Sequence, residues 1–442
     1  MSQSAKKRSL PIPLLLVLTY IVWILAGTGL LLLPIASVNG LSVSDALFTS
    51  TSAVTVTGLI VVDTATDLTR FGQGVLMLLI QLGGMGLMTF AVLILTSLGG
   101  SVGLTHRRFL REEMGVTDLS AVINLVWTIF RIVLFCELIG LALIASVFVP
   151  DHGWRDGLWH AAFHTVSAFN NAGFSTFSDS LMGYAGSPAI MFTISLQFII
   201  GGLGFAVWAN LFSQRKWHGL ALHTKLMLVG TLALILIGAG GYAALEWTNP
   251  NTLGGIDGIG ARWMAAWFEG VTPRTAGFNS MDTLSMRDGT TLLTMVLMVI
   301  GGGPTSTAGG IKVTTAVVLI LATVAFFKNS GRMNAYGYSI GSAAGLKVMA
   351  LLTVSLFVII TGLFIIVATH EIDFLVAMFE VTSAFGTVGL SQGATGELND
   401  IGRAVIILIM FLGRVGPLSL GIFLATKIPP RVKRPEGEVF LG

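Results

Sequence analysis

One short string returns four times along this chain: Ser52-Ala53-Val54-Thr55-Val56-Thr57-Gly58-Leu59, Ser167-Ala168-Phe169-Asn170-Asn171-Ala172-Gly173-Phe174, Val271-Thr272-Pro273-Arg274-Thr275-Ala276-Gly277-Phe278, and Ser383-Ala384-Phe385-Gly386-Thr387-Val388-Gly389-Leu390. Each copy ends in glycine plus a large apolar residue, and the glycines lie about 105 to 115 residues apart. A period that long holds a whole structural unit, and four copies of one unit build a pseudo-fourfold object. Four equivalent turns around one axis suggest a pore.

A pore needs a membrane, and the composition points to one. Of 442 residues, 54% are hydrophobic and only 11% charged, well beyond a soluble globular chain. Runs of mostly apolar residues start near Leu14, Phe71, Ala121, Ala189, Leu226, Thr290, Gly345 and Ile401. Each is about 20 residues or more, enough for a helix to cross a core of about 30 Å. The expected architecture is therefore all-α and integral to the bilayer, with eight transmembrane spans. The first run follows Lys6, Lys7 and Arg8 but extends from Leu14 to Leu33, too long for a secretory signal, so it reads as a retained span.

Basic residues fix the expected orientation. Arg107, Arg108, Arg111, Arg215, Lys216, Lys225, Lys328, Arg332, Lys347, Lys427, Arg431, Lys433 and Arg434 all fall on the side of Lys6, Lys7 and Arg8, which makes both termini cytoplasmic. The other side carries acids, among them Asp45, Asp156, Glu269, Glu380 and Asp400. They read equally as a vestibule that concentrates cations and as ordinary solvated loop surface. The net charge of +3 thus reflects membrane orientation and not nucleic-acid binding. The single cysteine, Cys136, excludes an intramolecular disulfide framework. No Walker-type glycine loop, transition-metal spacing or organic-cofactor motif stands out, so nucleotide control would come from another chain.

The units share a plan. The stretches Asp45 to Val54, Trp159 to Phe169, Trp263 to Val271 and Phe374 to Phe385 are too short to cross the membrane and too apolar for solvated loops, so they read as re-entrant half-helices. Each repeat is then helix, pore half-helix, glycine string, helix. The expected boundaries are a cytoplasmic N-terminus at 1–10, repeats at 11–98, 121–212, 224–327 and 343–426, and a cytoplasmic tail at 427–442. A half-helix aimed at the axis by its C-terminal end presents unsatisfied carbonyls and partial negative charge there. Glycine enters positive φ freely and turns its carbonyl where most residues cannot. The expected ion-coordinating residues, mainly through backbone oxygens that replace hydration water, are Thr55, Val56, Thr57, Gly58, Asn170, Asn171, Ala172, Gly173, Arg274, Thr275, Ala276, Gly277, Gly386, Thr387, Val388 and Gly389. The alternative for a single glycine is a helix cap or a packing site; four at matching offsets favour a filter. The Arg274 side chain would repel cations if it entered the pore, so it is expected to turn away, braced by backbone or by Glu269 or Glu380.

These strings, with Ala162-Phe163-His164-Thr165-Val166 before the second, Asn279-Ser280 after the third and the closing Glu436-Gly437-Glu438-Val439-Phe440-Leu441-Gly442, carry a resemblance over nearly the whole chain. It resembles the Trk/Ktr/HKT superfamily of K⁺ transporters, and most of all the bacterial Ktr type of membrane subunit. The resemblance implies K⁺ uptake across the bacterial plasma (inner) membrane by a homodimer with one pore per protomer. It also implies a cytosolic ring of KtrA-type nucleotide-binding subunits as partner. Glycine in all four strings, Gly58 included, goes with the K⁺-preferring members, whereas serine in the first marks Na⁺-preferring plant relatives. Na⁺ dependence is common in the Ktr type, but no residue here proves it.

A second motif follows each string by about 25 residues: Gly83-Gly84-Met85-Gly86, Gly201-Gly202-Leu203-Gly204, Gly301-Gly302-Gly303-Pro304 and Gly413-Arg414-Val415-Gly416-Pro417. Close helix packing is expected to account for the first two. The third runs on as Thr305-Ser306-Thr307-Ala308-Gly309-Gly310, helix breakers and hydroxyls that forbid a continuous helix. Residues 301–310 therefore read as an intramembrane loop beneath the filter and a movable barrier, and relatives of the Ktr type are similar in having a gating loop there. Arg414, deep in a span, marks a functional site by default and is expected to contact that loop. Lys312 either joins the gate or snorkels to the interface.

Arg131 and Glu137, six apart on one span, need partners elsewhere. His160 and His164 are expected to pack or to bond a loop, since two ligands do not make a metal site. A Na⁺-coupled symporter with inverted repeats is the rival transport reading; here every string follows an odd span and every unit starts inside, so the repeats are parallel and favour a pore. An enzyme would need a nucleophile and base at a defined spacing, which is not seen. The apolar end Val439-Phe440-Leu441-Gly442 is expected to dock between protomers or against the regulatory ring.

Overall fold

The computed structural model describes residues 12–86, 119–330 and 332–416. The N-terminus at 1–10, the basic residues around Arg107, the ends of the first and fourth repeats and the C-terminal tail lie outside the described residues. Helices dominate. Repeat 1 holds α1 (Ile12–Leu31), α2 (Val43–Val54) and α3 (Arg70–Gly84). Repeat 2 holds α4 (Leu119–Phe169), α5 (Pro188–Leu203) and α6 (Phe205–Ser213). Repeat 3 holds α7 (Leu222–Glu246), α8 (Ile259–Val271), α9 (Asp288–Val299) and α10 (Val313–Phe327). Repeat 4 holds α11 (Ser342–Thr369), α12 (Phe374–Gly386), the short α13 (Ala394–Glu397) and α14 (Asp400–Val415).

Each glycine string is preceded by a helix too short to span. α2, α8 and α12 are separate elements, while the second half-helix is the part of α4 beyond Gly153, whose φ of 79° and ψ of 167° break the helix. Local chemistry starts them. Ser42 caps α2 by accepting from the Asp45 amide, and the Asp373 carboxylate caps α12 by accepting from the Leu375 and Val376 amides; each satisfies donors that a helix start leaves orphaned. α8 starts at Gly258, whose φ of 89° only glycine adopts without strain.

Fewer than the eight expected spans are continuous helices among the described residues. Among the described residues three helical stretches are long and apolar enough to cross a bilayer, Trp127–Phe169, Leu222–Glu246 and Ser342–Thr369, and α5 with α6 would make a fourth but is bent by 90°. The bend falls at Gly204, φ 96°. Here the packing-only expectation for the second glycine motif fails: the Phe205 amide leaves the helix ladder and donates to the Thr305 carbonyl at 3.1 Å, so a tertiary bond breaks the span. α3 stops just before Gly86 (φ 71°) and α14 just before Gly416 (φ 84°). Close packing is nonetheless real at the same motifs: a Cβ on Gly83, Gly201 or Gly413 would stand 2.2, 2.0 or 2.1 Å from the Val54, Phe169 or Phe385 carbonyl oxygen. Among the described residues the all-α expectation has one exception, a hairpin of β1 (Met333–Ala335) and β2 (Tyr338–Ile340) turned by Tyr336 and Gly337, both at positive φ, as a two-residue turn requires.

The apolar core closes the repeats into a ring. The residue after each string's glycine is buried in the core of the preceding repeat. Phe174 packs with Leu31, Ala46, Leu76 and Ile80 of repeat 1, and Phe278 with Ile144, Ile190, Met191 and Ile194 of repeat 2. Leu390 packs with Tyr242, Ala265 and Met295 of repeat 3, and Leu59 with Ile366, Val381, Ile406 and Ile409 of repeat 4. The fourth unit is thereby joined to the first. Outside the ring, Phe357 and Phe364 on α11 are about 70% exposed (71% and 72%), the apolar exterior expected of a lipid-facing helix.

Candidate functional site

The four glycine turns meet. A Cβ placed on Gly58 would stand 2.3 Å from the Ala172 carbonyl oxygen, one on Gly173 2.9 Å from that of Ala276, one on Gly277 2.1 Å from that of Val388, and one on Gly389 2.3 Å from that of Thr57. Each glycine faces the carbonyl just before the next glycine, and the fourth returns to the first. All four also have positive φ, 94°, 68°, 75° and 95°. Glycine is therefore required twice over, by conformation and by space.

The residue two before each glycine is left-handed as well: Val56, Asn171, Thr275 and Thr387, at φ 57°, 59°, 72° and 51°. Non-glycine residues rarely sit there, so repetition in all four strings marks a constraint and not an accident. The cause is visible in the donors. The Val56, Asn171 and Thr387 amides donate back to the Ala53, Ala168 and Ala384 carbonyls, and the Thr57, Ala172 and Val388 amides to those of Ser52, Ser167 and Ser383. In the third string the Ala276 amide donates to the Thr272 carbonyl at 2.9 Å. Donors are spent on the half-helix ends. Among the described residues no hydrogen bond ends on the backbone carbonyls of 55–58, 170–173, 274–277 or 386–389, which leaves a set of free oxygens on irregular backbone.

Hydroxyls near the start of each string tie the strings to their half-helices. Ser52 and Ser383 Oγ accept from the Gly58 and Gly389 amides, each at 3.1 Å. Ser167 and Thr272 instead donate to the Phe174 and Phe278 carbonyls. The available signal was a Ser or Thr five or six residues before every string's glycine.

Arg274 turns away from the ring, toward Thr231 on α7 at 3.5 Å. The expected acid partners do not meet it. Glu269 accepts from the Ser280 amide and hydroxyl, and Glu380 from Ser391 Oγ and the Gln392 amide. These acids are buried, at 0% and 1% exposure, so they are not part of an outer vestibule either. Two other acids of that group form ion pairs between repeats, Asp45 with Arg403 at 2.9 Å and Asp156 with Arg70. His160 and His164 bond the following loop at Thr176 Oγ1 and Ser175 Oγ. Glu137 finds its partner in Asn170 Nδ2 at 3.4 Å, while Arg131 is exposed.

Residues 300–312 form the expected non-helical loop between α9 and α10. It closes on itself through Gly301 N to Ile311 O at 2.8 Å and Val313 N to Gly302 O at 3.0 Å, and Ser306 Oγ donates to Gly303 O at 2.7 Å. It is pinned to the broken α5 by Gly303 N to Gly202 O at 2.8 Å and Thr307 N to Gly201 O at 3.3 Å. It also touches three strings. Thr307 Oγ1 donates to Asn171 Oδ1 at 2.7 Å, a Cβ on Gly309 would meet Thr387 Oγ1 at 2.1 Å, and one on Gly301 would meet Thr275 Cγ2 at 3.2 Å. Pro304, Thr305, Ala308 and Gly310 complete the loop.

Arg414 reaches this loop from repeat 4. It donates to the carbonyls of Thr307 and of Gly83, and its Nε donates to Tyr20 Oη at 3.1 Å. One guanidinium thus spans repeats 1, 3 and 4. Lys312 does not snorkel outward: its Nζ turns back to the Ala308 carbonyl at 2.7 Å. Among the described residues no group of three or more His, Cys, Asp or Glu could hold a metal ion.

An apolar helical bundle whose four glycine turns pack in a closed cycle belongs with the membrane transport proteins. The family model of TrkH, cation transport protein, matches residues 14–432, and the chain belongs to that family. It is accordingly a transport protein and not an enzyme. It is 44% identical over 430 residues to Ktr system potassium uptake protein B of Bacillus subtilis (strain 168), covering 97% of this chain and 96% of the relative. It is 40% identical to the protein of the same name from Vibrio alginolyticus, covering 97% and 95%. The match to potassium/sodium uptake protein NtpJ of Enterococcus hirae is 38% over 452 residues, covering 100% and 99%. In fold it is similar to the potassium transporter TrkH from Vibrio parahaemolyticus, with TM-score 0.75 and 23% identity over 96% of this chain and 87% of that one.

Proposed function

We propose that this chain takes up K⁺ through a channel-like selective pore in the bacterial inner membrane, with both termini cytoplasmic. The observation that carries the reading is the closed cycle of glycine-to-carbonyl contacts linking Gly58, Gly173, Gly277 and Gly389. A K⁺ ion entering the ring exchanges its water for backbone oxygens of Thr55 to Gly58 and their counterparts in a pseudo-fourfold arrangement. The half-helices aim the negative ends of their dipoles at it, so the ion is held without a formal counter-charge and can leave.

The loop 301–310, with Lys312 and Arg414, is the gate in this reading. Two of its features support that role: it lies against the second, third and fourth strings, and Arg414 brings a guanidinium to the Thr307 carbonyl. A loop held by a handful of hydrogen bonds, each worth about 1 kcal/mol net, is within reach of a regulatory partner's binding energy. The names of the Ktr relatives support uptake of K⁺, and that of the Enterococcus relative supports a part for Na⁺. A homodimer working with a cytosolic KtrA-type ring completes the proposal.

The test is Rb⁺ and K⁺ flux into proteoliposomes, with and without Na⁺. Saturable K⁺-preferring flux is expected, and Gly58→Ser is expected to shift preference toward Na⁺; unchanged preference would remove Gly58 from the filter. Deleting Thr305 to Ala308 is expected to raise basal flux, and unaltered flux would end the gating role of the loop.

A further inference from the structure

Three buried groups that the ion path does not use, His164, Glu269 and Glu380, occupy one place in three repeats. They stand nine, eight and nine residues before Gly173, Gly277 and Gly389, on the half-helices. Each bonds a serine 11 residues further along: His164 to Ser175, Glu269 to Ser280, Glu380 to Ser391. His164 Nδ1 faces the His160 carbonyl at 2.8 Å, so it carries the ring proton there and Nε2 accepts from Ser175. Glu380 gathers most: Ser391 Oγ at 2.6 Å, the Gln392 amide at 2.9 Å and Thr395 Oγ1.

The first repeat lacks the device. Its equivalent residue is Thr49, nine before Gly58, and the residue 11 beyond is Ile60. The Thr49 hydroxyl is buried with no hydrogen-bond partner among the described residues. Three of the four strings are thus stapled to their half-helices just past the glycine, and the first is not.

We propose that His164, Glu269 and Glu380 are positioning residues that hold the outer ends of the second, third and fourth strings and thereby set ion preference, leaving the first string the most adjustable. The proposal rests on the filter reading. The bonds tie the chain just past each glycine to the helix just before it, so the glycine's carbonyl has fixed ground on both sides. A carboxylate that accepts two or three bonds in a dry site is a stiffer staple than a neutral pair.

The experiment measures Rb⁺ over Na⁺ preference for the full-length protein in proteoliposomes, with uptake half-saturation and maximal rate read separately. The variants are Glu380→Gln, Ser391→Ala, their combination, Ser391→Thr, Ser280→Ala, Thr49→Ala and Gly277→Ala. Loss of a charge-assisted brace is expected to lower preference about tenfold in Glu380→Gln and Ser391→Ala, with the double variant no worse than the larger single effect. Ser391→Thr, which keeps the hydroxyl, is expected to restore preference, and Thr49→Ala to leave it unchanged. If Glu380→Gln does not reach the membrane, Ser391→Ala and Ser280→Ala carry the test. Variants that lower only the maximal rate at unaltered preference, or whose effects add, would overturn the brace. If Gly277→Ala also keeps its preference, the filter reading itself fails; if Gly277→Ala loses it while the brace variants do not, only the brace fails.

Discussion

Gly277→Ala gives the sharpest measure of how tightly the ring is built. Two costs arise from one methyl group. The backbone at 277 has φ 75°, where an L-residue pays roughly 1–2 kcal/mol. The new Cβ would also lie 2.1 Å from the Val388 carbonyl oxygen, against an ordinary contact of 3.4 Å or more, so that oxygen must retreat by more than about 1 Å, an overpacking cost of about 1–3 kcal/mol. Gly40 separates the two: its φ is 78° with nothing within 4 Å of a Cβ, so Gly40→Ala pays the conformational part alone. Gly173, with 2.9 Å to the Ala276 oxygen, falls between. In proteoliposomes the Rb⁺ over Na⁺ ratio is expected to fall by tenfold or more for Gly277→Ala, since each 1.4 kcal/mol is about tenfold, less for Gly173→Ala, and not at all for Gly40→Ala. Equal ratios for Gly277→Ala and Gly40→Ala would refute the claim that the Val388 oxygen is an ion ligand.

Two further perturbations address the loop and the ring. Arg414→Met removes donors to Thr307, Gly83 and Tyr20 and is expected to raise Rb⁺ influx several-fold in the absence of any regulatory subunit; Arg414→Lys, a point charge without the planar fork, is expected to lie between, and flux at or below the parent's level would count against a part for Arg414 in the gate. Phe278→Ala empties an anchor that is 0% exposed within the core of repeat 2 and is expected to cost about 3–5 kcal/mol, read as faster thermal inactivation in detergent; an unchanged rate would mean that the repeats are not joined through that residue.

The strings and their half-helices were legible because their causes are local. Glycine at a fixed offset from a short apolar stretch signals both positive φ and a helix end, and Arg414 stood out as a charge where a charge is costly. The bend at Gly204 was not legible, because Pro188 to Ser213 reads as one apolar run and the bond that breaks it, Phe205 to Thr305, comes from 100 residues away. The same holds for Arg274, whose expected acid partners are occupied by serines 11 residues beyond them. Sequence spacing shows which charges are near in the chain; it does not show which lone pairs are already taken.

The apolar residue after each glycine carries a consequence that neither the glycine nor the half-helix does alone. Leu59, Phe174, Phe278 and Leu390 each sit in the core of the preceding unit, while the glycine just before each faces the carbonyl of the following unit. Every string is therefore located by both neighbours, and no string can shift without moving two others. Close-packed interiors transmit such displacement and do not absorb it. A ring with this construction has one register, so a substitution in a single repeat acts on all four sets of oxygens, and its effect on ion preference should exceed what one quarter of the coordination would account for.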